Sequence, residues 1–114
     1  MDNAIYKKSF DFAIRIVNLC KHLQTEQKER VLSKQILRSG TSIGANVAEA
    51  QQAQSKADFI SKLNIALKEA AETDYWLRLL HATNYMNDMQ FDSMISDCDE
   101  IESLLVAIVK ASKK

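Results

Sequence analysis

The sequence predicts an all-α fold, an antiparallel up-down-up-down four-helix bundle occupying residues 1–114 as a single domain. Three observations predict it. The chain has no proline, so the usual interruption of long helices is missing. Its only glycines are Gly40 and Gly44, too few and too close together to punctuate a set of β-turns. Apolar residues also recur at three- and four-residue steps in four successive segments, the period of one helix face. A chain of 114 residues can bury about two-thirds of its unfolded surface, enough for one core without staples.

The first helix is predicted from about Ala4 to Leu23. Ile5, Phe12, Ile16, Leu19 and Leu23 form its core stripe, with Ala13 and Cys20 beside them. Asp2 or Asn3 supplies a short polar cap for its first turn. Tyr6, Phe10 and Val17 widen the apolar arc beyond one core face. A polar link over Gln24–Glu29 follows, with Thr25 as the expected N-cap of helix two.

Helix two runs to about Gln52. Leu32, Ile36, Ile43, Val47 and Ala50 share one side of its wheel; Gln35, Ser39, Ser42, Asn46 and Glu49 line one flank. Gly40 and Gly44 lie on the other flank. Each glycine costs a helix interior about 1 kcal/mol relative to alanine, so their i, i+4 spacing points to close approach of another backbone. The same spacing is a membrane motif only inside an apolar twenty-residue span, which this segment is not.

Ser55, with Asp58 three residues on, resembles a capping box and opens helix three, predicted over Lys56–Thr83. Its core stripe is Phe59, Leu63, Ala66, Ala70, Leu77 and Leu80, and Asp74 falls within that arc. A second side carries Lys62, Ile65, Glu69, Glu72 and Trp76. Large apolar groups among charges read as a partner-facing surface. Asp88 is the expected cap of helix four, whose stripe is Phe91, Met94, Cys98, Ile101, Leu105 and Ile108 up to about Ala111.

Basic and acidic residues balance, fifteen of each, but not evenly along the chain. Residues 1–56 carry nine basic and five acidic side chains; residues 57–114 carry six and ten. Lys8, Arg15, Lys28, Arg30 and Lys34 on the first two helices are therefore the candidate nucleic-acid contacts, set against scattered solubilising charge. The N-terminus lacks the apolar region of a signal peptide, and no apolar run reaches the ~20 residues of a membrane span. The expected compartment is the cytosol, where Cys20 and Cys98 on apolar stripes are buried free thiols.

Chemical motifs are sparse. Neither His22 nor His81 follows a Glu by three residues, the di-iron signature of bundles, so no metal is expected. Ser39 and Ser42 lack a strained elbow, and the glycines do not follow a strand as in a phosphate loop. No enzyme activity, cofactor or small-molecule substrate is expected. Arg38, Asn46, Glu49, Lys62, Glu72 and Asp74 read instead as a polar network that fixes helix register. Arg38 is expected to pair with Asp74 or Glu72, and Glu49 with Lys62 or a cap at the turn. Gly40, Gly44, Ile65, Glu69 and Trp76 are the expected contacts between subunits.

The stretches QILRSGTSIGANVAEA and DFISKLNIALKEAAETDYWLRLL carry a resemblance. Gln35, Arg38, Ser39, Ser42, Ile43, Asn46, Ala48, Glu49, Phe59, Leu63, Ala66, Glu69, Glu72 and Trp76 match the four-helix-bundle family of 23S ribosomal RNA intervening sequences. Ile36, Val47 and Ala50 depart from it mildly. The chain is also similar to the accessory variability-determinant proteins of diversity-generating retroelements. The resemblance implies a ring-shaped homopentamer and a nucleic-acid role, the retroelement branch working with a reverse transcriptase and RNA. Two functions follow as expectations: a non-enzymatic oligomeric scaffold or adaptor, or an RNA- or DNA-binding accessory protein, with RNA or an RNA-associated protein as partner.

Overall fold

The computed structural model describes residues 3–114, with the side chain of Asn3 also outside the described set. It holds four helices: α1 (Asn3–Thr25), α2 (Leu32–Ala50), α3 (Lys56–Ala82) and α4 (Asp88–Ser112). Each α-helical residue adds 1.5 Å, so the 27 residues of α3 alone span about 40 Å. The molecule is correspondingly elongated, 45 × 21 × 19 Å. α1 packs against α2 and α4, and α3 packs against the same two helices. The result is a four-helix bundle in which α1 and α3 lie across from each other.

Every stripe read from the sequence points inward at its centre. Ile5, Phe12, Ile16 and Leu23 of α1, Ile36, Ile43 and Val47 of α2, Leu63, Ala66, Ala70, Leu77 and Leu80 of α3, and Met94, Cys98, Ile101 and Leu105 of α4 are buried. At about 1.5–3 kcal/mol for each large side chain removed from water, this single core is the main term favouring the fold. Leu19, Leu32, Phe59, Phe91 and Ile108, read as core, are only half-buried at its margin, and Val109 is buried beside Ile108.

The helix ends depart from expectation in two places. Thr25 does not cap α2: it is the last residue of α1, and its hydroxyl donates to the Lys21 carbonyl at 2.7 Å. Polar residues next to a link fit either end of a helix, and here the preceding helix claims the residue. α2 begins later, at Leu32, where the Glu29 carboxylate accepts from the Ser33 amide (2.8 Å) and the Val31 amide (3.3 Å). Asn87, not Asp88, caps α4; it forms a full capping box with Gln90. Ser55 caps α3 as expected, accepting from the Asp58 amide at 3.0 Å. The Asp58 carboxylate reaches past it to the Gln54 amide. The expected Asp2 or Asn3 cap of α1 lies outside the described residues.

The left-handed positions are Lys28 (φ 58°) and Asn84 (φ 68°), neither of them glycine. Asn84 ends α3 in a Schellman arrangement, with Tyr85 N–H on the Leu80 carbonyl and Asn84 N–H on that of His81. The glycines serve packing instead. A Cβ on Gly40 would stand 2.7 Å from Cγ1 of Ile16, and one on Gly44 would stand 3.3 Å from the Ser9 carbonyl oxygen. Both therefore admit α1 of the same chain, which corrects their assignment to a contact between subunits. The sequence pattern marks that a neighbour comes close, not whose helix it is.

Candidate functional site

The densest polar arrangement spans α2 and α3. Arg38 meets Glu69 and Glu72 and Ser39 meets Thr73, while Glu49, about three turns on in α2, meets the earlier Lys62, so the two helices run in opposite numerical order along the seam. The Arg38 guanidinium forks, one nitrogen bonding Glu69 at 3.0 Å and the other bonding Glu72. The same Glu72 oxygen accepts the Trp76 indole N–H at 3.0 Å. The indole bond and the guanidinium together hold the Glu72 carboxyl below its usual range, and the Glu72 bond raises Arg38. Beneath this chain, the buried Thr73 and Ser39 hydroxyls lie 2.9 Å apart.

Asp74 is not part of this network, contrary to expectation. It accepts from Arg78, one turn on along its own helix, at 2.6 Å. A turn and a half of α3 separates it from Glu69, so it faces α4 while Glu69 and Glu72 face α2. Asn46 also bonds locally, donating to the Ser42 carbonyl at 2.8 Å. Glu49 and Lys62 pair at 3.4 Å, one of the alternatives read from the sequence.

Of the residues expected between subunits, Glu69 is engaged by Arg38 of its own chain. Trp76 is half-buried against the core, edge-on to Tyr75 with ring centroids 5.0 Å apart. Ile65 is exposed at 39 %. A longer apolar stripe lies elsewhere: Tyr6, Phe10 and Ile14 of α1 are 41, 56 and 48 % exposed at i, i+4, i+8. Tyr6 and Phe10 stack with centroids 6.4 Å apart. The apolar arc of α1, too wide for one core face, was the signal for it.

The candidate nucleic-acid residues separate into two groups. Lys8 bonds Glu100, while Arg15 bonds Asp97 at 2.5 Å and Ser93 Oγ at 2.9 Å, so α4 acids neutralise both. Lys28, Arg30 and Lys34 are exposed and carry no ion pair among the described residues.

Asp74, Cys98 and Glu102 bring one ligand atom each to within 4.8 Å of one another at the α3–α4 seam. Burial raises the Cys98 thiol, which donates to the Ala70 carbonyl at 3.4 Å. Burial and the nearby Asp74 raise Glu102 as well. The Cys98 sulfur also lies 3.6 Å from Glu102 Oε1, so both groups already have partners. Cys20 is likewise buried and free, its thiol pushed up to about 11 by burial. Among the described residues no helix is long and apolar enough to cross a membrane.

The fold and these seams define a small helical-bundle protein whose polar side chains are mostly spent on its own helices. Its family is set by comparison: the model of the 23S rRNA-intervening sequence protein family matches residues 1–107, and the chain belongs to that family. It is also similar to a crystal structure of a protein of unknown function from the S23 ribosomal protein family of Bacteroides thetaiotaomicron. The two are 63% identical with a TM-score of 0.95, over 96% of this chain and 97% of the other. No curated protein matches the chain.

Proposed function

We propose that the protein is a non-enzymatic scaffold or adaptor that acts as an assembly: antiparallel up-down-up-down bundles joined in a ring-shaped homopentamer in the cytoplasm. The observation that carries this reading is the Tyr6–Phe10–Ile14 stripe, a continuous apolar face left in water by a bundle whose core is otherwise closed. The opposite numerical order of partners across the α2–α3 seam supports the antiparallel arrangement. The polar network is consistent with a structural role, since Arg38, Glu69, Glu72 and Trp76 satisfy one another. Light scattering tests the assembly: a homopentamer has a mass of about 65 kDa, five times the 12.9 kDa chain. A monomer across the micromolar range removes the reading.

A second reading is an accessory protein that binds RNA, or an RNA-associated protein, similar to the retroelement proteins. One observation favours it: Lys28, Arg30 and Lys34 stand exposed at the α1–α2 end with no acidic partner among the described residues. Three cations per chain make a weak site, but a ring repeats them. Filter retention of a single-stranded RNA should then fall steeply with salt, and Lys34→Glu with Arg30→Glu should abolish it. No retention at low salt rejects this reading and leaves the first in place.

A further inference from the structure

We infer that the seam between α1 and α4 holds a binding site for a small apolar carboxylate. The site is a hollow of about 300 Å³ between the second half of α1 and the start of α4. Leu19, Met86 and Met94 are its apolar part; the two methionines are buried and Leu19 is half-buried. Larger depressions of about 380 and 510 Å³ lie on the outer faces of α1 and α3, but each is lined by one helix alone and by no buried residue. An occupant there stays largely in water, whereas ligand sites cover most of what they bind. The hollow has a packing cause. Phe91, the large ring early in α4, stacks on His81 of α3 with ring centroids 4.3 Å apart. It is therefore spent on α3, and Gln90 stands at the α1 side instead. The walls are also held in place. Gln27 donates to the Tyr85 carbonyl at 2.9 Å, next to Met86, and the Asn87–Gln90 capping box fixes the first turn of α4.

The polar rim sets the charge of the ligand. It consists of Arg15, Asn18, His22 and Gln90, with no carboxylate among them. Arg15 bonds Asp97, the Ser93 carbonyl and Ser93 Oγ, three bonds for a guanidinium with five N–H donors. Asp97 lines the neighbouring hollow beside Phe12 and Ile101, so it steadies the guanidinium without entering the site. Gln90 accepts from the Asn87 N–H through Oε1 at 3.1 Å, which leaves its NH2 group to donate. The Asn18 side chain has no hydrogen-bond partner among the described residues and offers a second amide. Donors above an apolar floor complement a carboxylate on an apolar body, and bonds between arginine and carboxylate are among the strong ones. The methionines can adapt to bodies of different outline. No motif marks the site, because its residues come from α1, the α3–α4 link and α4. It is also independent of the assembly. Phe10 and Arg15 are five residues apart, about 140° round α1, so the exposed stripe and the site are different faces.

Calorimetric titration with 2-naphthoate tests the site, and 2-naphthamide supplies the same shape without the charge. Naphthoate should bind once per chain, and the amide about tenfold more weakly. Arg15→Gln should weaken naphthoate about tenfold and leave the amide unchanged. Leu19→Trp fills the hollow and should abolish binding of both probes, with circular-dichroism melting to confirm that the variant folds. His22→Trp repeats the block from an exposed position on the rim, where the fold is not at stake. Phe10→Ser removes the centre of the outer stripe and should leave naphthoate binding as it is. Binding that survives His22→Trp and a folded Leu19→Trp, or that is lost in Phe10→Ser, overturns the site. Equal affinity for acid and amide overturns the anionic ligand. Absence of naphthoate binding at millimolar concentration overturns the inference as a whole, while the oligomeric state, read separately by light scattering, is untouched by any of these results.

Discussion

Helix α1 is held on its two flanks by different means. Toward α2 the contact is steric: Gly40 receives the Ile16 side chain and Gly44 the backbone of Ser9. Toward α4 the contact is made partly by long charged side chains, Arg15 to Asp97 and Ser93 and Lys8 to Glu100, over the buried Phe12 and Ile101. The first flank fixes how near two helices come, because at Gly40 no methyl can be added without displacing the buried Ile16 side chain. The second tolerates change, because exposed ion pairs offset only part of the entropy lost in ordering two flexible side chains. The small residues therefore specify the geometry of this bundle, and the surface charges mainly its solubility.

Substitutions on the two flanks can break that contrast. The largest effect belongs to Ile16→Ala, which removes a fully buried side chain and should cost about 2–5 kcal/mol in denaturant melts. Gly40→Ala should cost roughly 1 kcal/mol net, overpacking of about 1–3 kcal/mol outweighing a helix-propensity gain of about 1 kcal/mol. The two combined should cost less than their sum, since Ile16→Ala clears the space the new methyl needs. Full additivity would show that Ile16 does not set the approach at Gly40. Gly44→Ala, with its closest contact at 3.3 Å, should change stability by no more than about 0.5 kcal/mol, the two terms nearly cancelling.

On the other flank Arg15→Ala should cost only about 0.2–1 kcal/mol, and the difference from wild type should shrink in high salt. A loss matching that of Ile16→Ala would erase the contrast. The smallest effect concerns the third kind of seam, α3–α4. Glu102 has a raised carboxyl in the folded protein, through burial and then Asp74. The native state therefore holds this proton more tightly than the unfolded chain. Its contribution to stability is greatest below the usual carboxylate range and falls as pH rises through the raised value. Glu102→Gln should remove that slope, and the melting temperature near neutral pH should rise slightly.

The four helices and the centres of their stripes were legible because periodicity averages over many residues. Individual ends were not. Asn87 and Asp88 are both good caps, and only the chain path decides which side chain faces the Gln90 amide. The stripe rule also passed over Ser9, Ser33 and Thr73, which are fully buried. They escape the cost of burial by donating to carbonyls of their own segments, Tyr6, Glu29 and Glu69, which no hydropathy pattern reveals. The polar network was half legible. The Arg38–Glu72 pair follows from the sequence, but Glu69 reads there as a contact between subunits and Asp74 as an alternative partner of Arg38, since a wheel gives angles without saying which neighbour occupies each. The glycine spacing likewise announced a close approach and left its owner open.

The two thiols give the bundle a pair of internal clocks. Cys20 is sealed between α1 and the start of α2, donating to the Ser33 carbonyl, while Cys98 is sealed between α4 and α3. Neither can react as a thiolate until its own seam parts, and they sit on opposite halves of the molecule. Their separate rates of modification by an alkylating reagent would time the release of the first helix and of the last without any engineered label. If the bundle opens as one unit the two rates coincide; if α1 leaves first, Cys20 is modified while Cys98 is still protected.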